Sequence, residues 1–158
     1  MTTSTITTPM DTPVGRLVLE SDGDVLIGIW LPSQSTRSRA DGHDAPPVLK
    51  DTATQLDEYF AGERTVFDVP MELDGTAFQK EVWRELSRIP YGETISYGEL
   101  ARRVGRPKGP RAVGQANGKN PVPIIVPCHR VLASTGIGGY GGGLTMKRTL
   151  LAVEGVTA

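Results

Sequence analysis

The chain contains a single cysteine, Cys128, and His129 and Arg130 follow it directly. A thiol attacks an electrophile as the thiolate, and a neighbouring base or cation favours that form. One cysteine excludes an internal disulfide and a cysteine-based zinc site, and we expect no metal. Because a lone cysteine is most often a small buried apolar residue, this pair alone is weak evidence for a nucleophile.

The last predicted helix supplies a candidate partner for the histidine. The pattern predicts a helix over residues 145–153, and Gly155 is typical of the position that ends a helix. Glu154 follows Leu150 and Leu151 by three to four residues and therefore shares their inward face. It also lies at the helix C-terminus, where the macrodipole disfavours an anion. A residue in such a place is expected to be held by a partner.

These observations predict a relay from Cys128 through a water molecule and His129 to Glu154. The prolines of residues 120–127 exclude a helix and predict an extended segment before the thiol. Adjacent side chains on an extended chain point to opposite faces, so Cys128 and His129 need a bridging water or a sharp turn to connect. The alternative interpretation is an exposed Glu154 near a frayed chain end.

The elements before this segment predict a DNA-binding motif. Residues 76–79 and 96–99 resemble capping boxes, and each precedes apolar residues at helical spacing. A further helix is predicted at roughly 109–117. The last two helices are joined by a glycine-containing turn, which predicts a helix-turn-helix.

Basic residues concentrate in this motif. Between positions 99 and 119 they are Arg102, Arg103, Arg106, Lys108, Arg111 and Lys119, against Glu99 alone. That density suits contacts with phosphates. The second helix carries small residues and lacks the polar array that reads base edges, so Arg111 is its one long probe, which predicts sequence-tolerant binding in a narrow groove. The alternative is a packed helical hairpin with solvated arginines.

The N-terminal part predicts a small α/β unit. Residues 15–20 and 25–30 are β-rich and flank a hairpin signal. Residues 52–55 resemble another capping box and predict the start of a helix. Residues 64–71 predict a further strand.

A composition shift near Asp74 predicts two domains, residues 1–74 and residues 75–158. The polar segment 33–47, which includes His43, predicts a loop without a site. The first domain carries 5 basic against 13 acidic side chains and the second 12 against 5, so the net charge of −1 divides into −8 and +7. This asymmetry indicates a polyanionic partner for the second domain, and two solvated faces that attract each other are an equal alternative.

The chain start lacks the basic and apolar regions of a secretory signal. No apolar run reaches membrane-spanning length. We therefore expect a cytoplasmic protein without a membrane partner.

Taken together, the residues from Gly75 to Glu154 resemble the O6-alkylguanine-DNA alkyltransferases, which are methylated-DNA–protein-cysteine methyltransferases. The resemblance covers about half the chain, and its most specific part is Pro-Cys-His-Arg-Val at 127–131. The matching motifs are Phe78-Gln79, Val82-Trp83, Ile89-Pro-Tyr-Gly92, Ser96-Tyr97, Arg111-Ala-Val-Gly114, Ala116-Asn117, Asn120-Pro121, residues 125–131, Gly139-Tyr140 and Leu150-Leu151.

The resemblance implies a role for each catalytic candidate. Cys128 would accept the alkyl group, His129 would deprotonate it through water, and Glu154 would orient the histidine. Asn120 would brace the thiol segment. Tyr97 would help rotate the nucleotide and donate a proton towards the leaving guanine oxygen.

The resemblance also implies a DNA interface, in which Arg111 would fill the gap in the base stack. The family's DNA-contact positions fall on Tyr97, Gly98, Arg106, Arg111 and Ser134, of which Gly98 and Arg106 match by position only. The base pocket would be lined by the backbone of Val131 and by Tyr140 and Gly141. The segment 131–140 is one residue shorter than the family pattern, and Gly141 stands where some members have Ser.

The implied fold is α+β, with an N-terminal ribonuclease-H-like α/β domain before a mainly helical domain that carries the helix-turn-helix and an active-site loop. The implied activity is DNA repair by transfer of the alkyl group from a flipped O6-alkylguanine in double-stranded DNA to Cys128. The thioether product has no good leaving group, and no second thiol resolves it. Each molecule would therefore act once, as a suicide enzyme without a cofactor. A monomer is expected, and cooperative binding on DNA stays open.

Three other classes of protein remain as alternatives. A non-enzymatic sensor resembling the alkyltransferase-like proteins typically carries Trp at the acceptor position, so Cys128 argues against it. A Cys–His hydrolase would turn over an ester and would not need the Arg111 helix. In a purely structural DNA-binding protein, Cys128→Ala would change no activity.

Overall fold

The computed structural model describes residues 5–33, 45–106 and 108–157. His43 and most of the predicted loop over 33–47 lie outside these ranges. The chain folds into two compact units, Met1–Leu73 and Asp74–Ala158. Among the helices of the described ranges, none is both long enough and apolar enough to cross a membrane.

The first unit is built on an antiparallel sheet of three strands in the order β1-β2-β3. β1 spans Ile6–Thr12, β2 spans Gly15–Ser21 and β3 spans Leu26–Trp30. The structure confirms the predicted hairpin of β2 and β3 to within a residue at each end. The sequence did not predict β1, because it is largely polar and contains Pro9, which is tolerated on an edge strand.

The helix of the first unit, α1, spans Pro47–Phe60 and begins more than a turn before the predicted start at Thr52. A proline in the first turn removes an amide that would have no partner there, and Val48 and Leu49 are already buried. Thr52 is buried within the helix, and its hydroxyl donates to the carbonyl of Val48 at 2.7 Å. The capping-box interpretation of this threonine is therefore wrong, because its side chain bonds back to the preceding turn.

The predicted strand over residues 64–71 is also wrong. The segment joins the sheet through a bridge between Met71 and Leu26. The side-chain amide of Gln55 pairs with the Asp68 carbonyl at 2.9 Å and with the Asp68 N–H at 2.8 Å. These bonds satisfy backbone groups that a strand would have paired in a ladder.

In the second unit, α2 spans Ala77–Leu86 and begins with the predicted capping box. The Thr76 hydroxyl accepts from the Gln79 N–H at 3.1 Å, and the Gln79 side chain accepts from the Thr76 N–H at 3.0 Å. The buried Trp83 donates through its indole N–H to the carbonyl of Ala116 at 2.8 Å. This bond fixes α2 against the helix that carries Ala116.

The predicted helix-turn-helix is present in the second unit. Its two helices are α3 (Tyr97–Arg103) and α4 (Pro110–Gly118), and the short strand β4 (Ile95–Ser96) directly precedes α3. Ser96 caps α3 by accepting from the Glu99 N–H at 3.0 Å. The Glu99 carboxylate pairs with Arg102 and Arg103 at 3.0 and 3.5 Å. Gly105 ends α3 with a φ of 74°, a conformation that glycine adopts readily.

The segment before the thiol turns and is not extended as predicted. The Val126 N–H donates to the Val122 carbonyl at 3.0 Å, and Ile124 has a φ of 74°. Asn120 holds this turn, because its Nδ2 donates to the Val126 carbonyl at 2.7 Å and its Oδ1 accepts from the Val122 N–H at 3.0 Å. The prolines exclude a helix here, but a side chain supplies the bonds that close a turn.

Two short strands connect the thiol segment to the helix-turn-helix. β5 spans Val131–Leu132 and pairs with β4 in parallel. Because β4 leads directly into α3, this pairing places Tyr97 beside the chain that leaves the thiol. The last helix, α5, spans Leu144–Val153, with Glu154 as its C-cap and Gly155, at a φ of 78°, as its predicted end.

Candidate active site

Cys128 opens a short 3-10 helix, residues 128–130, and is 6% exposed. Successive side chains on such a helix diverge by about 120°, so Cys128 and His129 are not on opposite faces as on an extended chain. Of the two connections that the sequence left open, a bridging water or a sharp turn, this helix supplies the turn. His129 is completely buried beside it.

Different features around the thiol shift the pKa of Cys128 in opposite directions. Burial raises the pKa of Cys128, whereas hydrogen bonds from the side chains of Asn120 and Tyr140 and the positive charge of Lys147 lower it. Burial has the larger effect, so the cysteine rests as the thiol. It therefore needs a base to become a nucleophile.

His129 is paired with Glu154 inside the unit. Its Nε2 lies 2.6 Å from Oε2 of Glu154, and both side chains are buried. Burial has the largest effect and lowers the pKa of His129, Glu154 opposes it, and the charges of Arg130 and Lys147 act with burial, so that the pKa is lowered overall. We assign the neutral imidazole with its proton on Nε2. Nδ1 has no hydrogen-bond partner among the described residues, so it can accept a proton.

Glu154 has further partners, as its burial at a helix end requires. Nε and Nη2 of Arg130 donate to its two oxygens at 2.8 and 3.1 Å. The Gly92 N–H donates to Oε1 at 3.1 Å. Arg130 also donates through Nη1 to the carbonyl of Ile89 at 2.6 Å. The prediction that a partner holds Glu154 is confirmed, and the guanidinium next to the Cys–His pair is occupied by this carboxylate.

Lys147 is a completely buried cation beside the thiol segment. Its Nζ donates to the carbonyls of Val131 and Gly139 at 2.7 and 3.0 Å. These carbonyls lie near the two ends of the loop after the thiol, so the ammonium ties the ends together. Burial lowers the pKa of Lys147 to about 8, against the attraction of the Cys128 thiolate.

Tyr97 lies in the first turn of α3 and is half-buried. Burial raises its pKa, and the nearby Cys128 thiolate raises it further, so the phenol is a proton donor at neutral pH. Glycines bound the ring on two sides: a Cβ on Gly138 would lie 3.1 Å from it, and a Cβ on Gly114 would lie 3.8 Å from it. The Nζ of Lys147 lies 6.0 Å from the ring centroid.

The candidate DNA-contact residues lie on more open parts of the same unit. Arg111 is exposed in the first turn of α4, and Ser134 is exposed in a turn closed by the Gly136 N–H and the Ala133 carbonyl. Gly98 is half-buried in α3. An open pocket at the start of α4 is lined by Arg106, Lys108, Gly109 and Ala112. The guanidinium of Arg106 also lies over the ring of Phe78, 4.7 Å from its centroid.

The structure thus brings part of the predicted site together. The side chains that converge on the thiol or on its base are those of His129, Glu154, Asn120, Tyr97 and Tyr140. Val131 is buried next to them, whereas Arg106, Arg111, Ser134 and Gly141 are exposed.

Sequence reasoning missed three contributors, Arg130, Lys147 and Gly92. Lys147 had a signal, because it precedes the inward leucines of α5 by the same three to four residues that identified Glu154. Arg130 was noted only as a cation beside the thiol. Gly92 acts through a backbone N–H on a residue 62 positions away, which no side-chain pattern reveals.

Comparison with known proteins places both units in one family. Residues 6–73 match the family model for the ribonuclease-like domain of 6-O-methylguanine DNA methyltransferase, and residues 77–156 match the model for its DNA binding domain. A methylated-DNA–protein-cysteine methyltransferase of Mycolicibacterium paratuberculosis is 48% identical over 147 residues, which cover 92% of this chain and 89% of that protein.

Solved structures agree with these matches. The crystal structure of Mycobacterium tuberculosis O6-methylguanine methyltransferase has a TM-score of 0.87 at 45% identity, covering 98% of this chain and 95% of the other. The crystal structure of Mycobacterium tuberculosis OGT in complex with DNA has a TM-score of 0.84 at 48% identity, covering 92% and 90%. The predicted α+β fold with a ribonuclease-like first domain is confirmed, and this chain belongs to the 6-O-methylguanine DNA methyltransferase family.

Proposed function

We propose that this protein repairs DNA directly: Cys128 takes the alkyl group from O6-alkylguanine in duplex DNA and keeps it. The observation that carries the proposal is the buried pair of His129 and Glu154, 2.6 Å apart, directly beside the chain's one thiol. Family membership supports the reaction class, a methylated-DNA–[protein]-cysteine S-methyltransferase that acts once. No cofactor enters the reaction.

The first step generates the nucleophile. The Cys128 thiol gives its proton, through a water molecule, to the free Nδ1 of His129, and the resulting imidazolium is stabilised by Glu154. Asn120 and Tyr140 stabilise the thiolate by donating hydrogen bonds to its sulfur. Burial disfavours a resting thiolate, so proton transfer and attack are expected to be coupled.

The second step transfers the alkyl group. The thiolate attacks the alkyl carbon, the carbon–O6 bond breaks, and its electron pair goes to the guanine. The phenol of Tyr97 donates a proton to the departing base, and the imidazolium of His129 returns one to the phenolate. The products are a thioether on Cys128 and an unmodified guanine, with every proton accounted for.

The helix-turn-helix would present the damaged nucleotide to this site. A base within a duplex must leave the stack before its O6 can reach a buried sulfur. We assign Arg111, exposed at the start of α4, to the gap left in the stack, and Arg106, Gly98 and Ser134 to the DNA backbone. The Val131 backbone and the Tyr140-Gly141 segment would line the base pocket. We infer a cytoplasmic protein that acts as a monomer, with or without cooperativity on DNA.

The test is the intact mass of the protein after mixing with a duplex that contains O6-methylguanine, followed by peptide mapping. We expect a gain of one methylene on the Cys128 peptide, saturating at one per chain, and the loss of the lesion from the DNA. Cys128→Ser, nearly the same in size, should bind the duplex without gaining mass. A wild-type protein that binds the duplex but leaves the lesion intact would refute the transfer and favour a damage sensor.

A further inference from the structure

The Glu154 carboxylate has hydrogen-bond donors besides His129, and one of the groups that supply them, Arg130, carries a positive charge. The fork of Arg130 reaches both carboxylate oxygens, at 2.8 and 3.1 Å, and the Gly92 N–H adds a third donor at 3.1 Å. Arg130 is 6% exposed, and its guanidinium is anchored by the Ile89 carbonyl at 2.6 Å. A two-bond fork fixes both the position and the charge of a carboxylate.

We propose that Arg130 is a positioning residue of the transfer: by pairing with both oxygens of Glu154, it keeps His129 as the neutral imidazole that receives the thiol proton. The inference rests on the proposed function and adds to it the residue that sets the pH range of the base. Arg130 touches neither the alkyl carbon nor the sulfur in this scheme. It acts through Glu154.

The physical argument is a balance of charges in a buried place. A carboxylate 2.6 Å from the imidazole, without a compensating charge, favours the imidazolium and works against the burial that keeps the ring neutral. An imidazolium cannot accept the thiol proton. The permanent charge of Arg130 offsets part of the carboxylate charge, so His129 rests neutral with its proton on Nε2, while Glu154 still stabilises the imidazolium that forms when the thiol gives up its proton.

Other ionisable groups surround the cluster. They are Lys147 from α5, Cys128 from the 3-10 helix, Tyr97 from α3 and Tyr91 from the turn after α2. The charge of Lys147 also lowers the pKa of His129, but by less than that of Arg130, and its Nζ donates to the Val131 and Gly139 carbonyls. The ring of Tyr91 lies 5.9 Å from the guanidinium carbon, and its hydroxyl donates to the Val153 carbonyl at 2.9 Å, so Tyr91 braces Arg130 and the end of α5 together.

The test compares the pH profile of methyl transfer for the wild type, Arg130→Met, Arg130→Lys and Glu154→Gln. Removing the cation should let the His129–Glu154 pair take up its proton at a higher pH, so the acidic limb of the profile should move up by about 1 pH unit. Arg130→Lys retains the charge, so its limb should move less. Glu154→Gln removes the anion and should move the limb in the opposite direction.

A second measurement reads the imidazole without relying on transfer. The chain has two histidines, so the ring signals of His129 can be assigned by NMR with a His43→Gln variant as reference. In Arg130→Met the His129 ring should titrate at a higher pH than in the wild type. Arg84→Met, the same substitution on the exposed face of α2, is the matched control and should leave both the titration and the limb in place.

The outcomes separate the two proposals. If the wild type transfers methyl groups but Arg130→Met lowers the rate by the same factor at every pH, with the imidazole titration unchanged, Arg130 is only structural and the inference fails. If the wild type transfers nothing, the proposed function fails, and the NMR titration still decides the role of Arg130. Should Arg130→Met not fold, the Glu154→Gln limb decides, because an unmoved limb contradicts the charge balance.

Discussion

At the scale of single residues, the site combines a thiol that resists ionisation with a base that resists protonation. Burial raises the pKa of Cys128 and lowers that of His129. Both groups therefore rest uncharged, and a proton moves between them only when the product charges are stabilised. Asn120 and Tyr140 on the sulfur, and Glu154 on the imidazolium, supply that stabilisation.

Tyr97 depends on the absence of a side chain at Gly138. That glycine has a φ of 76°, and a Cβ on it would lie 3.1 Å from both the Tyr97 ring and the Ala133 nitrogen. We expect Gly138→Ala to displace the ring and to cost about 1–2 kcal/mol of stability from its left-handed backbone. Methyl transfer from a duplex should slow by roughly tenfold, because a misplaced proton donor that raises the activation free energy by about 1.4 kcal/mol has that effect on a rate.

Gly114 provides a matched control for this prediction. Its added Cβ would meet the same ring at 3.8 Å, an ordinary contact, and its φ is not positive. Within α4 an alanine also has a better helix propensity, by up to about 1 kcal/mol. Gly114→Ala should therefore be as stable as the wild type or more so. Equal losses of transfer rate in the two variants would show that the Tyr97 ring does not need the space beside Gly138.

At the scale of elements, the sequence predicted features that depend on bonds between residues close in the chain, but it failed where a side chain bonds in an unexpected way. The capping box at Thr76 and the helix end at Gly155 depend on bonds within four residues, and both were predicted correctly. The start of α1 was wrong because the Thr52 hydroxyl bonds to its own helix. Asn120 closes a turn with its side chain, and in a proline-rich segment that possibility could not be told from an extended chain.

The same distinction applies to the site. The inward position of Glu154 follows from helical spacing, and Lys147 could have been found in the same way. The contacts of Glu154 with Arg130 and Gly92 span 24 and 62 residues. Such contacts arise when α5, the 3-10 helix and the turn after α2 pack together. No pattern within a single element specifies them.

Helix α4 is expected to act on the duplex more than on the chemistry. Near the C-terminus of α4, the side chain of Asn117 donates to the Cys128 carbonyl at 3.4 Å. Arg111 is exposed near the N-terminus of the same helix. Extruding a base costs a few kcal/mol, and it costs least in a single strand. We expect Arg111→Ala to slow transfer from a duplex by on the order of tenfold, and to affect a single-stranded oligonucleotide with the same lesion much less.

Arg84→Ala, which removes an exposed arginine of α2, controls for the loss of one positive charge. It should slow transfer from both oligonucleotides slightly and by the same factor, as expected for a general attraction to phosphates. Single-turnover rates with the two oligonucleotides measure the difference. If Arg111→Ala slowed both substrates by the same factor, its role in opening the base stack would be excluded.

At the scale of the whole molecule, burial of the site makes the stability of the folded state depend on pH. The pKa of His129 is lowered in the folded state from its ordinary value of 6.5. Below that value the unfolded chain binds more protons than the folded one, so stability falls as pH falls. Lys147, whose pKa is about 8, stays protonated throughout this range in both states.

We therefore expect the free energy of unfolding of the second unit to decrease between pH 6.5 and about 5, before most carboxylates titrate. His129→Gln, which has no titrating ring, should show a flatter dependence. Urea titrations can be followed by the fluorescence of Trp83 in a Trp30→Phe background, which leaves the second unit as the only reporter. Since His43 is common to both proteins, its contribution cancels. Parallel curves for the two proteins would mean that His129 is not held neutral by the fold, and the base that we assign to Cys128 would then have to be found elsewhere.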